Sequence, residues 1–206
     1  MTQTNDAIQK AMAELENVDD EIRAQAIEAL GEHQHTAAVP SLIEIMYSAD
    51  PGTRFITVKA LGRIADARAV SVLLDALHGD DIWTRAAAAG ALINIGSPAV
   101  EGLTGALRHE KKAVRRAAAK ALGKIGENGK DEGALRALSA ALLDVDDGVR
   151  RFAAEAIGRL GAEGMVPELK EVLADNNAEV RIAAFRALAN IDTPEAQKAV
   201  RSWLHE

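Results

Sequence analysis

Val114-Arg115-Arg116-Ala117-Ala118-Ala119-Lys120-Ala121-Leu122-Gly123-Lys124-Ile125-Gly126 holds one period of a pattern that runs the length of the chain. Val114, Ala118, Ala121, Leu122 and Ile125 recur at helical spacing and make one apolar stripe, with Arg116, Lys120 and Lys124 on the other side. Arg115 is one of six phased arginines, Arg23, Arg54, Arg85, Arg115, Arg150 and Arg181, at intervals of 31, 31, 30, 35 and 31 residues. Small apolar residues follow each in step, from Ala26 and Ala29-Leu30 in the first period to Ala184 and Ala187-Leu188 in the last. The arginine therefore marks an amphipathic helix, here called B.

A second helix, A, precedes each B. Eight residues before the arginines stand Leu15, Met46, Leu77, Leu107, Leu142 and Leu173, and four residues earlier Ala11, Leu42, Leu73, Leu103, Leu138 and Leu169. The fixed offset means that the A–B turn keeps its length, and length variation falls in the B-to-A connections. The 35-residue interval puts its extra residues at Glu127–Glu132, expected as a polar loop. Asp50-Pro51, Ser97-Pro98 and Thr193-Pro194 read as helix starts, and Gly96, Gly126 and Gly161 as helix ends. The predicted units are 4–34, 35–65, 66–96, 97–129, 130–161 and 162–192, followed by a lone terminal helix at 193–206. Neither helix of a pair can bury its stripe alone, so the pairs stack into a single repeat array over 1–206.

Composition narrows the function classes. With 24 Lys+Arg against 31 Asp+Glu the 206-residue chain carries a net charge of −7, which argues against whole-surface attraction to nucleic acid or anionic lipid. The absence of cysteine excludes thiolate metal sites, disulfides and a cysteine nucleophile. Met1–Asp6 carries no positive charge and leads into no apolar run, so no secretory signal is expected. The most apolar stretch, Ala86–Ile93, is far shorter than the roughly 20 residues of a membrane span. Cytoplasm is the expected compartment.

The pattern Val/Ile-Arg-x-x-Ala-x-x-Ala-Leu-Gly-x-Ile-Gly, carried at Val114–Gly126, resembles the short HEAT-like repeats first described in phycobilisome lyases, and the resemblance covers essentially the whole chain. It implies an all-α, right-handed α-solenoid of six HEAT-like helix pairs with a C-terminal capping helix. It also implies that an Asp in the A–B turn stacks on the repeating arginine; four residues before the arginines stand Asp19, Asp50, Asp81, Lys111, Asp146 and Asn177.

No catalytic constellation emerges, and no cofactor is expected. His33 and His35, two apart in a helix-end turn, do not face one another as metal ligands would. Deoxyhypusine hydroxylase, an enzyme of this architecture, builds its di-iron site from His-Glu pairs directly after the arginine. The matching positions here are Ala24-Gln25, Phe55-Ile56, Ala86-Ala87, Arg116-Ala117, Arg151-Phe152 and Ile182-Ala183, so that activity is excluded.

The resemblance places the B helices on the concave side, with positions +1, +5 and +9 from each arginine facing outward. Those positions hold eight basic residues against three acidic ones. The expected partner-binding set is Phe55, Lys59, Arg63, Trp83, Arg116, Lys120, Lys124, Arg151, Arg159 and Arg186. Ala86 and Gly90 would form a shallow floor beside Trp83, and Trp203 would seal the end of the array or meet a second chain. The leading expectation is a non-catalytic scaffold that grips another protein, through an acidic segment, on this face. The alternatives are a bilin lyase subunit, implied by the resemblance, and a nucleic-acid binder.

Overall fold

The structure, a computed structural model, describes residues 2–48 and 50–205. Helices follow one another in A–B order: α1 (Thr2–Glu14), α2 (Asp20–Glu32), α3 (Val39–Ser48), α4 (Pro51–Ile64), α5 (Val70–His78), α6 (Ile82–Ile95), α7 (Val100–Ala106), α8 (Lys112–Gly129), α9 (Glu132–Ala141), α10 (Asp147–Leu160), α11 (Val166–Val172), α12 (Ala178–Asn190) and α13 (Pro194–Trp203). The described residues contain no strand. The chain forms two compact units, Met1–Gly102 and Leu103–Glu206, and α7 lies across the division.

The phased apolar residues are the cores of both units. Ile27, Leu30, Leu61, Leu73 and Leu92 are fully buried in the first, and Leu122, Leu138, Ile157 and Leu169 in the second. Each such side chain contributes roughly 1.5–3 kcal/mol by leaving water. Thr57 stands where the other B helices have alanine; its buried hydroxyl donates to the Thr53 carbonyl at 2.8 Å, so no polar atom is left unpaired there. At the end of the second unit Trp203 of α13 packs on Phe185 of α12, ring centroids 4.7 Å apart.

Within each unit, consecutive B helices approach through glycine. A Cβ on Gly31 or Gly62 would come within 2.8 or 2.7 Å of Ala60 or Ala91, and one on Gly123 or Gly158 within 2.7 or 2.5 Å of Ala156 or Ala187. These glycines sit eight residues after the arginine, and their alanine partners six residues after the next arginine. The last B helix of each unit breaks the rule, with Ile93 in α6 and Ala189 in α12.

The A–B turns differ from expectation in an informative way. Asp19, Asp50, Asp81, Asp146 and Asn177 are N-caps whose side chains accept backbone N–H bonds. Among the described residues none of these side chains hydrogen-bonds the arginine four residues on. Instead that arginine reaches back six residues to a turn carbonyl: Arg23 to Asn17, Arg85 to Gly79, Arg115 to His109, Arg150 to Asp144 and Arg181 to Asp175, at 2.7–2.9 Å. In the second unit the same guanidinium also grips the next repeat. Arg115 binds Asp144 at 2.9 and 3.0 Å, and Arg150 binds Asp175 at 2.7 and 2.9 Å, both bidentate. The equivalent places in the first unit are Ser48 and Gly79, which cannot supply a carboxylate. There Arg68 binds Asp66 at 2.7 and 2.9 Å and reaches the Thr36 carbonyl of the preceding repeat at 2.8 Å. The hydrogen bonds from Arg68 hold the Asp66 carboxyl down to about 2.

Two helix ends also depart from expectation. α8 runs on to Gly129, so only Lys130 and Asp131 remain of the expected polar loop, and Gly126 lies inside the helix. Glu127 holds the extra turn by bonding Lys124 at 2.7 Å and Arg159 of the next repeat. Ser97 and Pro98 form a short 3-10 turn capped by Gly96 rather than the start of an α-helix.

Gly158→Ala tests the close approach. Alanine is better than glycine in a helix by about 1 kcal/mol, yet the new methyl has to push α12 away. Urea denaturation should show a loss of about 1–3 kcal/mol; a gain in stability would show that α10 and α12 do not meet this closely.

Candidate functional site

The B-helix faces carry the expected contact residues, divided between the units. Phe55, Lys59 and Arg63 of α4 and Trp83 of α6 belong to the first; Arg116, Lys120, Lys124, Arg151, Arg159 and Arg186 belong to the second. Positions five and nine after the arginine are exposed or half-buried throughout, because the apolar stripe turns them away from the core.

In the first unit Trp83 is 73% exposed. A side chain added at Gly90, two turns on along the same helix, would meet nothing within 4 Å, so the surface of α6 is open there. In the second unit, positions +1 and −2 of successive repeats face each other, Arg116 against Gly148 and Arg151 against Glu179. Phe55 and Trp83 occupy the corresponding positions of α4 and α6. Lys59 lies over the Phe55 ring, 5.6 Å from its centroid, and Arg63 pairs with Glu32 of α2 at 3.6 Å.

The second unit departs from the simple basic strip. Arg116 binds Asp146 at 2.6 and 2.9 Å and Asp147 at 3.2 Å, and its guanidinium lies over Gly148, where any Cβ would collide with it. Lys124 and Arg159 share Glu127. Arg151 bonds Glu155 at 3.1 Å and stands 3.9 Å from Glu179. Phe152 is flanked by two cations, Lys120 at 4.3 Å and Arg151 at 4.5 Å from its centroid. Of the eight face cations, five have a carboxylate partner; among the described residues Lys59, Lys120 and Arg186 have none.

Counting each helix face by itself took in Glu32 and Glu155 but missed Glu127 and the acids of the next repeat's turn or helix start. Asp146, Asp147 and Glu179 are close to Arg116 and Arg151 only after stacking. The −2 to −4 positions of the following repeat are the sequence signal that would have found them. Exposed Tyr47 and Ile82 also escaped the sequence reading, at 67% and 63%.

The groove between α10 and α12, of about 420 Å³, brings Arg151, Arg159 and Arg186 together with Glu155 and Glu179. Such a surface can recognise charged side chains; it offers no nucleophile-base pair. Among the described residues no three His, Asp or Glu stand together as metal ligands, and no helix is long and apolar enough to cross a membrane.

The family profile described as HEAT repeats matches residues 8–93, 71–155 and 135–206. No curated protein matches the chain. Among solved structures, one engineered protein is 25% identical over 89% of this chain and 96% of its own, with a TM-score of 0.52. A designed armadillo repeat protein in complex with the peptide (KR)4 is 18% identical over 90% of this chain and 99% of its own, at 0.54. Human deoxyhypusine hydroxylase in complex with glycerol is 19% identical over 90% of this chain and 84% of its own, at 0.50. The last two likenesses concern the fold alone.

The ion pairs make the second unit sensitive to acid. The hydrogen bonds from Arg150 hold the Asp175 carboxyl below the ordinary range, and those from Arg116 do the same to Asp146. Burial pushes Glu127 up, but hydrogen bonds from Lys124 and Arg159 outweigh it and leave the carboxyl lowered. Each folded value lies below its unfolded one, near ~4. The contribution is therefore fully present above that range and is lost as pH falls through it. Asp175→Asn should cost about 2–3 kcal/mol at neutral pH and flatten the loss of stability between pH ~5 and ~3. Urea melts over that range check both; an unchanged acid slope would remove Asp175 from the account.

Proposed function

The chain belongs to the HEAT-repeat family, and from that premise we propose that it is a non-catalytic interaction scaffold holding a partner protein on its B-helix faces. One observation carries this reading. Trp83, a large apolar side chain on a well-packed helix, stands 73% exposed, and the surface of α6 is open two turns on at Gly90. Its exposure costs the folded chain apolar burial, while aromatic anchors of this kind dominate many protein interfaces. Phe55 and Lys59 stand on α4 of the same unit. In the second, Lys120 and Arg186 offer cations not already neutralised, and Lys124, Arg151 and Arg159 lie beside them with their own carboxylates.

The mechanism is rigid display. Glycine contacts between B helices fix side-chain spacing, so little ordering entropy is lost when a partner docks. Arg116, held by two aspartates, acts as a positioning residue rather than a free contact. The partner offers an apolar side chain to Trp83 in the first unit and, separately, carboxylates to Lys120 and Arg186 in the second. We take the cytoplasm as the place of action, from the acidic, cysteine-free composition.

The test compares wild type with Trp83→Ala and Lys120→Glu, purified with bound proteins from cells that naturally make the chain. Both substitutions are at exposed positions and should change stability by no more than about 0.5 kcal/mol. At least one protein recovered with wild type should fall roughly tenfold in each variant, a loss of about 1.4 kcal/mol. Equal recovery in all three would remove the B-helix face as the binding surface.

A further inference from the structure

The groove between α10 and α12 in the second unit is bipolar, which the sequence count did not anticipate. At one end two carboxylates, Glu155 and Glu179, share the single guanidinium of Arg151, at 3.1 and 3.9 Å. Among the side chains that line the groove negative charge is in excess at this end, Lys120 lying outside the lining on the Phe152 ring, and the Glu179 side chain is 76% exposed. At the other end two cations, Lys124 and Arg159, share the single carboxylate of Glu127, and Arg186 has no carboxylate among the described residues. Positive charge is in excess there. Between the ends Ile182 is 42% exposed and offers an apolar step.

The spacing selects the occupant. Glu179 and Arg186 lie seven residues apart on α12, roughly 10 Å along the helix at 1.5 Å per residue. Side chains on one face of an extended chain recur every second residue, so three in a row span four residues, about 13 Å, within reach of the long side chains at both ends. We propose that this groove takes an extended segment of a partner protein in which a basic and an acidic side chain stand four residues apart, with an apolar side chain midway, so that all three share one face. The basic group sits against Glu179 and Glu155, the apolar one on Ile182, and the acidic one against Arg186. A purely acidic segment would place a carboxylate against the excess negative end, and a purely basic one would meet Arg186, so each is rejected by one end. This rests on the scaffold reading and sharpens it.

Three fluorescein-labelled peptides on one Gly/Ser backbone with a central Leu provide the probe. One carries Lys and Asp four residues apart with the Leu midway, one Asp at both places and one Lys at both. Fluorescence anisotropy with the full chain at low salt should rank the mixed peptide at least fivefold ahead of either other. Glu179→Lys should hand first place to the di-acidic peptide, and Arg186→Glu should hand it to the di-basic one. Circular dichroism melts confirm that both variants are folded. The proposal is overturned if wild type ranks the di-acidic peptide first, if no peptide binds, or if the ranking survives both substitutions. The scaffold reading is judged separately by the loss of partner in Trp83→Ala and Lys120→Glu, so a failed ranking beside that loss removes only the specificity of this groove.

Discussion

Consecutive B helices within each unit meet glycine against alanine. Gly31 on Ala60, Gly62 on Ala91, Gly123 on Ala156 and Gly158 on Ala187 let neighbouring B helices approach to where no further side-chain atom fits. This contact sets the distance between repeats, and other features follow from it. Arg150 reaches Asp175 because the helices are this near, and Arg159 reaches Glu127 for the same reason. A larger side chain at any of these glycines would part the helices and pull the ion pairs with them.

The two units use different fastenings for the same stack. In the second, Arg115 and Arg150 each bind their own turn carbonyl and the aspartate of the next turn, so one side chain serves two repeats. In the first, Ser48 and Gly79 take the place of that aspartate, and Arg68 ties Asp66 to Thr36 on the B-to-A side instead. Charged hydrogen bonds at half-buried sites are strong enough to matter in either arrangement. Apolar burial supplies the larger share of stability in both units.

The surface chemistry follows from this economy of charge. Five of the eight cations on the B-helix faces answer carboxylates, four of them reaching a neighbouring repeat. What remains for a partner is narrower than a basic strip: Lys59, Lys120 and Arg186, the exposed indole of Trp83, and a groove with opposite ends. Arg116 illustrates the change of role, since Gly148 leaves room for its guanidinium to lie flat against the next helix start.

Periodicity alone determined the helix pairs, the positions of their apolar stripes and the fixed A–B offset, because burial demands a 3.6-residue period whatever the neighbours are. It also placed the outward positions, which are the remainder of that same helical wheel. It did not determine which aspartate meets which arginine. Asp146 and Asp144 differ by only two places, yet one caps its helix and binds Arg116 while the other grips Arg115. Nor did it determine that α8 gains a turn, which depends on Arg159 arriving from the next repeat to hold Glu127. Those pairings join residues about thirty positions apart, and their distances exist only once the helices have stacked. Local pattern therefore decided the elements, and tertiary packing decided the electrostatics of the surface they present.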